Sequence, residues 1–115
     1  MYDQIYFTKT RYDESRRLEE FGLSQPLAER LVLSYEFEEE ETYKYLETII
    51  LHIKEYVSDT SETGKNRLNQ IKNQLGSKNI SSNKKALIFL GLTPDKADEF
   101  ATISFLFQRV IKELS

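Results

Sequence analysis

Two segments of this chain share one pattern, and that pattern limits what it can fold into. Phe21-Gly22-Leu23-Ser24-Gln25-Pro26-Leu27-Ala28 is echoed by Leu90-Gly91-Leu92-Thr93-Pro94-Asp95-Lys96-Ala97. Each reads apolar residue, glycine, leucine, hydroxyl residue, an early proline, then alanine six residues after the glycine. The glycine supplies a left-handed residue that ends one helix, and the leucine makes the apolar contact that accompanies such a stop. The hydroxyl residue caps the next helix, whose first turn tolerates proline because its amides have no intrahelical partner. Each segment is therefore a helix stop joined at once to a helix start.

The remaining periodicity supports helices on both sides of these corners. Asp13 is placed to cap a helix over 14–21, with Leu18 and Phe21 inward and Arg17 and Glu20 outward. After Ser24, the residues Leu27, Ala28, Leu31 and Val32 form a buried face. The longest helix is expected over 38–56, where Tyr43, Leu46, Ile49, Ile50, Ile53, Tyr56 and Val57 recur at helical spacing. Leu51 falls opposite that stripe, so this helix either shows a second apolar surface or is buried on both sides. A turn-rich stretch over 58–64 leads to a fourth helix over 65–75, with Leu68, Ile71 and Leu75 inward and Gly76 at its end. Ser82 is expected to cap a fifth, with Ala86, Leu87, Phe89 and Leu90 inward, and a final helix runs over 94–114. Residues 1–11, with Tyr2, Ile5, Tyr6 and Phe7, read equally as a strand-like arm or a first helical turn. The predicted fold is all-α: a compact bundle of five to six short helices with two Gly-Leu-Ser/Thr corners. It is expected to form one domain over 1–115, divisible into subdomains 1–57 and 65–115.

At 115 residues the chain is long enough for one core, and 39% hydrophobic with 30% charged residues is a globular balance. Cysteine is absent, which excludes disulfides and thiolate chemistry. No apolar run approaches the roughly 18–20 residues of a membrane span, and Met1-Tyr2-Asp3-Gln4 lacks the layout of a signal peptide. The expected location is the cytoplasm, and the Lys, Asn, Ile and Glu bias suggests an AT-rich, bacterial or phage-like genome.

No catalytic constellation emerges. The four glycines are isolated, which excludes a phosphate-cradling loop. His52 is the single histidine, with Glu55 three residues on, too few groups for a metal site or an acid–base pair. No enzyme activity, cofactor or metal is expected. Glu36-Phe37-Glu38-Glu39-Glu40-Glu41 reads as carboxylates favoured by a helix N-terminus, or as an added docking surface, and it lacks the ligand spacing of a calcium loop.

Charge is distributed unevenly. Residues 1–63 hold seven Lys/Arg against fifteen Asp/Glu, whereas residues 64–85 hold six Lys/Arg and no acid. Those six, Lys65, Arg67, Lys72, Lys78, Lys84 and Lys85, alternate with Asn66, Asn69, Gln70, Asn73, Gln74, Asn79 and Asn83. Cations attract phosphate and amides can bond to bases, which makes the six candidate nucleic-acid contacts, although the segment has no aromatic for stacking. The corners also resemble a helix-turn-helix. The second is followed by Asp95, Lys96, Asp98 and Glu99, which would turn mainly acids toward DNA, and the first by Gln25, Glu29 and Arg30.

Residues 13–46 resemble a ubiquitin-associated type of three-helix domain. The likeness lies in Phe21-Gly22-Leu23, Ala28, Leu31, Val32 and Tyr45-Leu46, with Phe standing where that family usually has Met. It implies Phe21, Leu23 and Leu46 as partner contacts. All seven tyrosines lie in residues 1–56, and amphipathic aromatics suit protein surfaces. Phe21, Leu23, Tyr35, Tyr45, Leu46 and Leu51 are therefore the candidate protein-binding residues. The expected function is a small non-enzymatic modulator of another protein, of the inhibitor, immunity or adaptor type. A second copy of the chain is an admissible partner, and a nucleic-acid-binding regulator is the alternative.

Overall fold

Short polar side chains set the helix starts, and the helices account for most of the described backbone. In the computed structural model, which describes residues 9–34 and 40–115, the chain is all-α. The helices are α1 (Lys9–Glu20), α2 (Gln25–Leu33), α3 (Glu40–Ser58), α4 (Glu62–Leu75), α5 (Ile80–Phe89), α6 (Pro94–Phe100) and α7 (Ser104–Leu114). A 3-10 turn, Ala101–Ile103, joins the last two. Ser24, Ser61, Asn79 and Thr93 cap α2, α4, α5 and α6, each accepting a hydrogen bond from a first-turn amide.

Both corners form as expected. Gly22 has φ 110° and Gly91 has φ 101°, conformations that a side chain would strain. At the second corner the Gly91 amide donates to the Ile88 carbonyl at 3.0 Å and the Leu92 amide to Leu87 at 3.2 Å, a Schellman closure of α5. At the first, the Gly22 amide donates to Glu19 at 2.9 Å. Leu23 and Leu92 are both buried beneath their glycines.

Each corner is also held by a distant helix. The Ser24 amide and hydroxyl donate to the two carboxylate oxygens of Glu113 on α7, both at 2.8 Å. Gly91 sits on α3, where a Cβ added to it would lie 2.9 Å from His52 Cε1 and 3.0 Å from Thr48 Cγ2. The His52 ring is fixed there by its Nδ1–H, which donates to the Thr48 carbonyl at 2.8 Å. Helix α7 touches α2, α3 and α4, and so joins α2 to the C-terminal half of the chain.

The core follows the predicted stripes. Leu27, Ala28, Leu31 and Val32 of α2 are buried, as are Tyr43, Leu46, Ile49, Ile50 and Ile53 of α3 and Leu106, Phe107, Val110 and Ile111 of α7. Each fully buried Leu or Ile contributes about 1.5–3 kcal/mol. Tyr43 ties α3 to α1: its hydroxyl donates to Glu47 at 2.9 Å, and Arg17 both pairs with Glu47 at 3.2 Å and covers the Tyr43 ring. Burial, and then the Glu47 carboxylate, push the Tyr43 phenol well above its usual pKa. Leu51 is 47% exposed, so α3 is buried on one side rather than two.

Four local expectations differ from the structure. Helix α1 begins at Lys9, leaving Asp13 exposed in its interior rather than at its cap. Asn79, not Ser82, caps α5. The helix expected over 94–114 is broken at Ala101–Ile103, where the β-branched pair Thr102-Ile103 weakens α-helical preference. The tighter turn lets Phe100 and Phe107 meet edge to face, with centroids 6.2 Å apart. Phe89, expected inward, is 51% exposed. Tyr35, Glu36–Glu39 of the acidic run and the aromatics Tyr2, Tyr6 and Phe7 lie outside the described residues.

Gly22→Ala and Gly91→Ala should each lower stability by more than about 1 kcal/mol in urea unfolding, because both positions have positive φ. Gly91→Ala should cost more, since its Cβ meets His52 and Thr48 whereas that of Gly22 meets only the Leu114 methyl at 3.2 Å. Adding His52→Ala to Gly91→Ala should recover part of the loss.

Candidate protein-binding groove

Helix α5 carries two parallel stripes. Asn83, Ala86, Leu87 and Leu90 are buried, while Lys85, Ile88 and Phe89 form a second row at the same helical spacing and face out. Helix α4 does the same: Ile71 and Leu75 go inward, and Arg67, Gln70 and Gln74 form the outer row. The two helices run antiparallel, since Arg67 meets Phe89 at one end and Gln74 meets Asn83 at the other. Their outer rows therefore bound a groove of about 280 Å³, lined by Arg67, Gln70, Ile71, Gln74, Lys85, Ile88 and Phe89.

The groove has an apolar floor and cationic edges. Ile71 lies at its base, and Ile88 (44% exposed) and Phe89 (51%) present apolar area beside it. The Arg67 guanidinium lies 5.7 Å from the centre of the Phe89 ring, and the Tyr56 ring of α3 stands 6.3 Å away on the same aromatic. These contacts hold the exposed phenylalanine in place. The α4–α5 hairpin is fixed from below by Asn83, whose buried Nδ2 donates to the Gln74 carbonyl at 2.7 Å and the Ser77 carbonyl at 3.0 Å. These bonds tie α5 to the last turn of α4.

The sequence-predicted residues separate cleanly. Leu46 has no exposure and Leu23 has 5%, so both are core residues with no surface to offer a partner. Their apolar character served packing. Phe21 and Tyr45 are half-buried and covered by cations of the same chain, Lys54 at 5.7 Å and Lys96 at 5.3 Å. Leu51 is exposed beside Lys54 and Glu55, at the edge of a shallow depression on α3 away from the groove. Tyr35 lies outside the described residues.

Of the six cations, Arg67 and Lys85 line the groove, and Lys65, Lys72 and Lys78 are exposed. Lys84 instead pairs with Asp98 of α6 at 3.2 Å. Two of the interleaved amides are structural rather than available: Asn79 caps α5, and Asn83 closes α4. The basic segment's missing aromatic is supplied by Phe89 from the neighbouring helix. Sequence reasoning missed Ile88 and Phe89; their signal was the row Lys85, Ile88, Phe89 running beside the buried stripe.

No family model, curated protein or solved structure matches the chain. No helix among the described residues is long and apolar enough to cross a membrane.

Phe89→Ser should cost only about 1–2 kcal/mol and leave the chain folded, because half of the residue is already in water. Asn83→Ala should lower stability by about 1–3 kcal/mol, the loss of two side-chain hydrogen bonds between α5 and the end of α4. Thermal unfolding by circular dichroism checks both.

Proposed function

We propose that this chain is a small, non-enzymatic, cytoplasmic protein-binding modulator of the inhibitor, immunity or adaptor type, and that it docks its partner on the α4–α5 face. The observation that carries this reading is the exposed pair Ile88 and Phe89 beside the Ile71 floor, with the Phe89 ring in contact with Arg67 and Tyr56. An aromatic anchor pre-organised beside an arginine is the composition that dominates binding energy at protein interfaces. The phenylalanine has no role in the core that would explain its size, which favours an interface over a packing function.

A nucleic-acid regulator is the second reading, favoured by one feature. The Phe89–Arg67 pair places a stacking ring among exposed cations. Such binding would weaken steeply with salt and on charge reversal of Lys72 and Lys78.

Affinity capture from the source cells with the parent chain and with Phe89→Ser tests the first reading. A defined protein retained in stoichiometric amount by the parent and lost by the variant is the expected result. Retention of the same proteins by both chains, or of none, would refute docking on this face.

A further inference from the structure

We infer that the α4–α5 groove takes an acidic amphipathic α-helix of a partner protein. This rests on the reading of the groove as a protein-docking surface and adds the chemistry of what fills it.

Shape comes first. The outer row of α4 from Arg67 to Gln74 spans about two helical turns, roughly 10 Å. At about 280 Å³ the groove is smaller than a typical small-molecule site and suits a few apolar side chains inserted from one face of a helix. The walls are two helices whose backbone amides and carbonyls are spent on their own hydrogen bonds. An extended peptide would find no strand edge to pair with here, so recognition falls to side chains and the mode is helix in groove. Anchors one turn apart would sit over Ile71 and between Ile88 and Phe89.

Charge selects among such helices. Arg67 stands at the Phe89 end, and Lys85 lies one turn earlier on α5, so cations recur along the groove at the spacing of a helical turn. Residues 64–85 contain no acid. Gln70 and Gln74 add neutral donors and acceptors to the α4 wall. Carboxylates flanking the anchors would meet Arg67 and Lys85, whereas the cations of a basic helix would be repelled by them.

The test uses the full chain and four fluorescent probes, read by anisotropy. The first is a synthetic helix with leucines on one face and glutamates flanking them. The second has every glutamate replaced by lysine, the third scrambles the first so that no apolar face remains, and the fourth is a single-stranded oligonucleotide. The acidic amphipathic peptide should bind saturably, with the lysine and scrambled peptides at least about tenfold weaker. Arg67→Glu with Lys85→Glu should weaken it about tenfold or more, and so should Phe89→Ser, with melting temperatures confirming that the variants are folded. Lys112→Glu, a charge reversal on α7 away from the groove, should change little. Equal binding of the lysine or scrambled peptide, tighter binding of the oligonucleotide, or no binding of the acidic peptide would overturn the inference. A partner captured from cells through Phe89, with indifference to the acidic peptide, would overturn only the helix chemistry and leave the docking surface standing.

Discussion

Two glycines in the left-handed region, Gly22 and Gly91, let this chain reverse between helices without an intervening loop, and the packing on both sides relies on where those reversals land. Gly22 places Ser24 against Glu113, so the start of α2 is held by the end of α7 through two charge-assisted hydrogen bonds. Gly91 places its backbone directly on Thr48 and His52, an approach that no side chain would permit. One corner thus fastens the N-terminal helices to the C-terminal helix. The other fastens the C-terminal half to α3. The single histidine has a packing role in this arrangement, with one ring nitrogen bonded to a carbonyl of its own helix.

Long cationic side chains over aromatic rings form a second recurring device. Arg17 covers Tyr43, Lys54 covers Phe21, Lys96 covers Tyr45, Arg30 covers Phe105 and Arg67 covers Phe89. Each pair joins different elements and adds about 0.5–1 kcal/mol where exposed. They also explain why tyrosines and phenylalanines suited to binding are engaged within the fold itself. Phe89 and Phe105 both keep about half of the residue exposed at a groove, and Phe89 has Ile88, Ile71 and Lys85 beside it.

How much was legible depended on how local the cause was. The corners, the caps Ser24 and Thr93 and the buried stripe of α3 were readable because capping and amphipathic periodicity act within one or two turns. Asp13 and Ser82 misled, since several residues in each stretch could cap and only packing chose the helix start. Leu23 and Leu46 were read as contacts from a resemblance, although buried leucines and exposed ones look alike in a sequence. Phe89 was placed inward because an apolar residue beside Leu90 is usually core. The row Lys85, Ile88, Phe89 could have warned otherwise, but nothing local distinguishes a second apolar row that meets a neighbour from one that does not.

By itself the sequence determined an all-α chain with two abrupt helix reversals, no thiol chemistry, and a cationic segment free of acids. These follow from glycine conformation, capping chemistry and composition, each of which acts over a few residues. Only the tertiary structure decided that α4 and α5 run antiparallel with Asn83 closing the end between them. That packing brings Arg67 over Phe89 across twenty-two positions of sequence and turns a basic helix and a stray apolar row into one groove. Helix rotation about its own axis decides which row faces out, and it is set by the fit of every neighbouring core residue at once.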